Sequence, residues 1–395
     1  MTKTKLDYLL QTGIITKKKE LALSSRKNVP YMFVHKTIQE FLASLYIERN
    51  QTEIEDIMNV IQSVYCDADS ILDIGQLFIF TCGMCAPAAE RMSQHIMDVI
   101  TCDFESKLHC MFEQATDIYA TVSVAQGIVL DGFIERVANE QPCLQLTLSH
   151  VSLDDLKNKK INENDALKTL IDMNISNIIS LDTRCIDLAQ EESYRAQEII
   201  SQSRETLSYC RIWLIGECPF DLQGLKLKYL SCWQTDISNL DCTYMHACEI
   251  WANTLLSVEC IFQSMSVTGK NIRLLKLGYF AIPIDLLCST LPNLTTLHTL
   301  ILVQTNISDK QLYFLPESIR KVVYQYVKVS AQHIKSIVEW SKSRDACVSC
   351  ELCPSYLYDE DEICQWIQRQ DSIDISRREL EDNAIYISWS TILSN

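Results

Sequence analysis

The clearest alternation of apolar and polar positions along the chain begins at Thr37. Ile38, Phe41, Leu42 and Leu45 fall at i, i+3, i+4 and i+7, which is one face of a helix. Thr37 and Glu40 have capping-box spacing, which predicts the helix start. Ahead of it, residues 1–30 read as a short helix ("LDYLLQTG"), a basic turn and a strand. Helical periodicity runs on to about residue 140 through "TEIEDIMNVIQSVYC" and "AAERMSQHIMDVITC", with Pro87 placed to open one helix in its first turn. The pattern predicts an all-α amino-terminal block with short links.

After Pro142 the pattern changes to short apolar strings with polar breaks. Two of them nearly coincide: "LKYLSCWQTDIS" begins at Leu227 and "LHTLILVQTNIS" at Leu297. Both are apolar at positions 1, 4, 6 and 11, the LxxLxLxxNxL spacing of a leucine-rich repeat, whose strands line the core of a solenoid. The same spacing gives starts at Cys143, Ser176, Leu207, Leu255, Ile272, Ile319, Cys347 and Asp382. Position 9, where such a repeat places Asn or Cys to bond the neighbouring turn, holds Thr235, Thr305, Phe280, Gln263 and Val327. Threonine can supply part of that hydrogen bonding, whereas Phe and Val cannot. The expected fold class is therefore α plus α/β: a helical block, then an irregular, degenerate repeat solenoid with a parallel sheet.

Composition removes several function classes. A net charge of −16 argues against non-specific binding to nucleic acid or to an anionic membrane, both of which need basic patches. Nine glycines in 395 residues are about 2%, against an average usage of roughly 7%. None of them forms GxxxxGK[ST] or GxGxxG, so no nucleotide-hydrolysing core is expected. Neither GxSxG nor HExxH is present, and no enzymatic activity is expected. The longest apolar run, residues 77–89, is shorter than the ~20 residues a membrane span needs. The first residues have no signal-peptide core, and the 18 cysteines are scattered through apolar runs. A reduced, cytoplasmic protein is expected.

The stretch "FVHKTIQEFLASLYI" carries a family resemblance. Phe33, His35, Ile38, Gln39, Glu40, Phe41, Leu42 and Ala43 match the histidine motif that ends the winged-helix segment of NACHT-domain NOD-like receptors. These are cytosolic innate-immune ATPases of the STAND type. The preceding "LDYLLQTGII" also resembles the family's L-x-x-L-x-x-G-L-L. The resemblance covers about 45 residues, and the order of helical block and repeats agrees with it. It implies a winged-helix remnant over 1–50, a helical domain over 51–141 and degenerate leucine-rich repeats over 142–395. It also implies that His35 is the residue that contacts a phosphate of bound ADP and locks the closed state. The P-loop and Mg-binding acids of that ATPase are not in the chain, so no cofactor is expected here and ADP or ATP would require an upstream NACHT domain. The function implied is a ligand-sensing or autoinhibitory module, binding a protein or microbial ligand or a NACHT domain. The alternative is a nucleotide-dependent switch whose ATPase half lies upstream.

Two further features stand apart from the resemblance. "CVSCELCP" places Cys347, Cys350 and Cys353 at C-x2-C-x2-C, with Cys364 as a late fourth thiol. A zinc site is one reading; inward packing of Cys347, Cys350 and Leu352 in a degenerate repeat is the preferred one. Cys82 and Cys85 sit in an apolar segment and read as core. In the better repeats position 2 holds Lys228, Arg273, His298 and Arg320. In that register the four stack as a basic column on an acidic protein, a candidate ligand strip.

Overall fold

The computed structural model describes residues 15–17, 31–33, 35–110, 118–140, 144–153, 161–184, 190–213, 220–233, 235, 237–251, 256–278, 284–305, 315–344, 347–353, 356–357, 365–370, 373–379 and 385–391. The expected helix at "LDYLLQTG" lies outside them. The chain divides into two compact units. The first comprises residues 1–107, 117–148 and 159–174, and the second 108–116, 149–158 and 175–395.

In the first unit, β1 (Ile15–Lys17) and β2 (Tyr31–Phe33) form an antiparallel pair. Helices follow: α1 (Lys36–Arg49), α2 (Ile54–Val64), α3 (Ala68–Leu72), α4 (Gly75–Met84), α5 (Ala86–Cys110), α6 (Ile118–Ala138) and α7 (Ile161–Asn174). The helical block expected from periodicity is there, but its details differ. α1 begins one residue before Thr37 and His35 is its N-cap, so Thr37 and Glu40 lie inside the helix and form no capping box. The observed box is on α3, where Asp67 accepts from the Ser70 amide at 2.8 Å and Ser70 accepts from the Asp67 amide at 3.2 Å.

The buried stripe of α1 also differs from expectation. Ser44 and Ile47 are buried, while Phe41 and Leu42 stay 41% and 39% exposed. The reason lies in α4, which is apolar nearly all round and takes the hydroxyl of Ser44 onto the Leu77 carbonyl at 3.1 Å. Phe41 meets it only at the rim, edge-on to Phe80 with ring centroids 5.6 Å apart. On its other side α4 lies against α6 at Gly132. A Cβ there would come within 2.5 Å of the Phe78 ring and 2.8 Å of the Cys82 sulfur. Cys82 and Cys85 are buried and burial pushes the Cys82 thiol above its ordinary range, so this thiol packs as an apolar group.

The segment after Pro142 stays with the helices for five residues. The Gln145 amide donates to Glu90 at 2.8 Å, the Thr147 amide to Ser93 at 3.0 Å and the Leu148 amide to Asn174 at 3.1 Å. Sheet pairing starts only after these side chains have taken up the backbone. The division between units accordingly falls at Leu148 and Ser149, with α7 in the first unit.

The second unit is built on one large, mostly parallel sheet. Its strands are β3 (His150–Ser152), β4 (Ser180–Thr183), β5 (Tyr209–Ile212), β7 (Tyr229–Trp233), β9 (Ala247–Trp251), β10 (Leu274–Gly278), β11 (Thr299–Val303), β12 (Lys321–Gln325) and β14 (Ser349–Cys353). These nine pair in chain order, all parallel. β17 (Ile385–Thr391) and β16 (Ile373–Glu379) close the β14 edge antiparallel. Two-residue strands β6 (Phe220–Asp221), β8 (Ile237–Ser238), β13 (Lys328–Val329) and β15 (Tyr356–Leu357) pair as β6–β8 and β13–β15. Between successive strands run α8 (Gln190–Gln202), α9 (Leu256–Thr268), α10 (Ile284–Thr290) and α11 (Ala331–Lys342). The expected α plus α/β class holds as a helical unit followed by this mixed unit. No helix among the described residues is long and apolar enough to cross a membrane.

One inward row sets the register. Val151, Leu181, Cys210, Leu230, Cys248, Leu275, Leu300, Val322 and Cys350 lie side by side across the nine strands, none more than 1% exposed. Leu230 and Leu300, the paired positions of the two matching strings, are both in it. Burying each such leucine contributes about 1.5–3 kcal/mol. The expected starts at Leu207, Leu227, Ile272, Leu297, Ile319 and Cys347 have their fourth position in this row. Those at Cys143, Ser176 and Leu255 do not. The row takes Val151, Leu181 and Cys248 instead, which moves the starts to Leu148, Ile178 and Met245. The Leu255 spacing fell on α9, where apolar residues three and five apart occur as readily as on a strand. The start at Asp382 precedes β17, which is antiparallel and adds no parallel turn.

Hydroxyls bond successive strand units, but three of them stand just before position 1 rather than at position 9, where asparagine was expected, and the position-9 hydroxyl of Thr305 is buried without a hydrogen-bond partner among the described residues. Thr206, Thr296 and Ser318 precede the first apolar position of their strands and donate to the carbonyls of Ile178 (2.9 Å), Ile272 (3.1 Å) and Leu297 (2.8 Å) one turn back. Thr235, at position 9, is buried and reaches the Ile212 carbonyl at 3.2 Å. Val327 at the same position is buried without a side-chain donor, Gln263 is on α9, and Phe280 lies outside the described residues.

At the first strand, His150 Nδ1 is 2.7 Å from Ser180 Oγ, and burial pushes its imidazole down from 6.5 to about 4. A depressed histidine pKa means that the unfolded chain binds the proton first. The stabilisation is complete above pH ~6.5 and is lost as pH falls towards 4, by up to about 3 kcal/mol at ~1.4 kcal/mol per unit. Urea unfolding of wild type and His150→Asn across this window should show a steeper loss of stability in the wild type, the difference being the histidine's share. Parallel curves would exclude it.

Candidate functional site: the second face of the sheet

Alternation along the strands sends every second side chain to the face opposite the inward row. There, Asp182, Arg211, Ser231, Glu249 and Lys276 are register neighbours on five successive strands. Acid, base, serine, acid and base follow one another. Arg211 Nη1 is 3.8 Å from Asp182 Oδ2, and Lys276 Nζ is 4.0 Å from Glu249 Oε1. Arg184 Nε adds a 2.9 Å contact to Asp182. Asp182, Arg211 and Glu249 are all under 9% exposed. Charges this buried persist only when paired, because leaving one without its partner costs several kcal/mol. The Tyr229 hydroxyl is enclosed beside Glu249 and Arg211, and burial raises its pKa well beyond the physiological range.

Two residues further along each strand lies a row of indoles. Trp213, Trp233 and Trp251 occupy position 7 of three successive strand units, starting at Leu207, Leu227 and Met245. Trp233 pairs in register with Trp251. Trp213 and Trp233 have ring centroids 6.0 Å apart at 60°, and Trp213 Nε1 donates to Ser231 Oγ at 3.2 Å. The Arg211 guanidinium sits 5.5 Å from the Trp213 ring and the Lys276 ammonium 5.1 Å from the Trp251 ring, within cation–π range. All three indoles are half-buried. Trp251 lies against Gly278, where an added Cβ would run into the indole ring. Nothing in the four-position apolar template points to these tryptophans. Their common position 7 becomes visible only once the Met245 unit replaces the one at Leu255.

The basic column is at the other end of the same strands. Backbone amides link its members in order: His246 to the Lys228 carbonyl, Arg273 to His246, His298 to Arg273 and Arg320 to His298, each at 2.8 Å. All five side chains are exposed. The four residues expected from sequence are therefore brought together, and His246, which the misplaced Leu255 unit hid, fills the gap between Lys228 and Arg273.

The other expected residues do not converge. His35 is exposed at the start of α1 with extended backbone (φ −123°, ψ 127°) and makes no side-chain cap. Cys350 is buried in the inward row, opposite Trp389 of β17, whereas Cys347 is exposed, which corrects the expected inward packing of Cys347. The Cys353 side chain and Cys364 lie outside the described residues. Among the described residues no group of three or more His, Cys, Asp or Glu converges on a metal position. Burial raises the thiols of Cys210 and Cys248 in the inward row, and it pushes Cys232, two residues beyond Leu230 on β7, up to about 12. The chemistry available on the second face is that of paired charges, indole planes and hydrogen-bond donors. No family model matches the chain, and no curated protein matches it.

Gly278→Ala should displace Trp251 from the sheet, since the methyl group and the ring cannot share the space. The expected cost is about 1–3 kcal/mol, read by urea unfolding, with a shift of tryptophan emission in the folded protein. Unchanged stability and emission would show that the ring does not rest there.

Proposed function

We propose that the chain is a non-enzymatic recognition module: a helical block joined to a degenerate leucine-rich-repeat solenoid, of the kind that forms the carboxy-terminal part of NACHT-domain NOD-like receptors. Its ligand is a protein, held on the second face of the sheet around Trp213, Trp233 and Trp251. The observation that carries this reading is the register cluster of three half-buried tryptophans, with the Arg211 guanidinium against Trp213 and the Lys276 ammonium against Trp251. Tryptophan, tyrosine and arginine are the residues that dominate protein-interface hot spots. Asp182 neutralises Arg211 and Glu249 neutralises Lys276 in place, so a partner meets a pre-formed surface rather than one that must reorder on binding. The solenoid reading is supported by nine parallel strands in chain order and by the hydroxyl-to-carbonyl bonds that recur from turn to turn.

The innate-immune assignment rests on the "FVHKTIQEFLASLYI" resemblance and on the order of the two units. In that setting the natural occupants are a protein ligand or a NACHT domain held in the closed state.

The binding surface can be tested without a known partner. Peptides enriched from a displayed library on the purified wild-type chain should lose about 10-fold or more in affinity against Trp233→Ala and Arg211→Ala, a hot-spot loss of ~1.4 kcal/mol or above. Far-ultraviolet circular dichroism and the thermal midpoint establish that the variants are folded. Enriched peptides that bind both folded variants as tightly as wild type would place the surface elsewhere.

A further inference from the structure

The exposed column of Lys228, His246, Arg273, His298 and Arg320 is not used by the tryptophan surface, which lies at the other end of the strands. We propose that it is a second binding strip, for an acidic helical segment of a protein partner. The argument starts from spacing. Neighbouring strands are about 4.8 Å apart, so five consecutive positions span ~19 Å. Side chains on one face of a helix recur every turn, about 5.4 Å. The mismatch is ~0.6 Å per step, which long lysine and arginine stems absorb. An extended peptide presents same-face side chains every ~6.7 Å. It falls ~2 Å further out of step at each strand, or ~8 Å over the column. A helix of about 15 residues covers the strip.

The charge pattern sharpens the fit. Lys228, Arg273 and Arg320 occur at every second strand, ~9.6 Å apart, with a histidine between each pair. Two helical turns advance about 10.5 Å. A segment with Glu or Asp at i, i+7 and i+14 meets the three permanent cations, and a carboxylate or amide at i+11 accepts from the His298 imidazole. Among the described residues no carboxylate pairs with Arg273, His298 or Arg320. Arg320 spends two of its donors on the carbonyls of Glu317 and Ile319, at 3.0 Å each, which holds the guanidinium in place. Lys228 Nζ is 3.3 Å from the Tyr209 hydroxyl and 5.5 Å from that ring, so its stem is also anchored. A net charge of −16 repels a long polyanion such as nucleic acid approaching from bulk solvent. A short acidic helix engages only the strip.

The probe is a fluorescein-labelled, stapled 18-residue helix carrying Glu at i, i+4, i+7, i+11 and i+14, titrated with the intact chain by anisotropy at 50 and 150 mM salt. It should bind, and more weakly at the higher salt. Arg273→Glu and Arg320→Glu should each weaken it about 10-fold and the double variant abolish binding, while Arg273→Gln gives a smaller loss of about 2–5-fold. Both positions are exposed, and circular dichroism with a thermal midpoint confirms the fold. The inference is overturned if the folded double variant binds like wild type. It is also overturned if a helix with the same five glutamates scattered around its circumference binds equally, or if single-stranded oligothymidylate binds more tightly than the peptide. Binding of library peptides at the tryptophan surface is a separate readout, so failure of either surface leaves the other decided on its own data.

Discussion

Nine apolar side chains, one from each parallel strand, must be covered together, and that requirement governs the whole strand-bearing unit. Val151 through Cys350 form a row no member of which can be exposed without leaving a gap beside two neighbours. Because strand side chains alternate, a slip of one residue would turn the row out and bring Arg211, Glu249 and Lys276 into the apolar interior. The register is thus held by apolar burial on one side and by the cost of unpaired buried charge on the other. With register set, the turn hydroxyls at Thr206, Thr296 and Ser318 fall opposite the carbonyls they bond.

The two candidate surfaces are consequences of the same register. Arg211 reaches Asp182, and Lys276 reaches Glu249, because each pair occupies neighbouring strands at one level. The indoles two residues further on form a row for that reason, and Gly278 leaves the space that Trp251 occupies. One residue before β7, β9, β10, β11 and β12, the ladder continues through exposed basic positions. A single apolar constraint therefore generates a half-buried aromatic surface at one end of the strands and an exposed cationic strip at the other. The first suits shape-specific contact with a partner, the second a charge-spaced one.

Legibility in the sequence followed how local each determinant is. The strings at Leu227 and Leu297 disclosed two strands of the parallel sheet, since a strand's apolar spacing is contained within a dozen residues. The Met245 unit was lost because its residues compete with an equally good spacing ten positions later, on a helix. The chain alone does not tell a strand from one helical turn when both carry residues three and five apart. On α1 the error was of another kind. Ile38, Phe41, Leu42 and Leu45 do form one helical face, yet the neighbour α4 docks against Ser44 and Ile47, using the serine hydroxyl on the Leu77 carbonyl. Periodicity describes a face; it does not name the side on which a partner helix sits.

By itself the sequence determined the helical block, the apolar positions of most strands, the Thr235 hydroxyl that replaces the expected asparagine and four members of the basic column. Each is a property of spacing within a short stretch. The tertiary structure alone decided the order of neighbours: that Cys248 shares a row with Leu230 and Leu275, that three tryptophans distant in sequence form one surface, and that His246 completes the column. The physical reason is that backbone pairing joins residues some twenty to thirty positions apart. Only the common burial of the inward row selects which of those pairings forms.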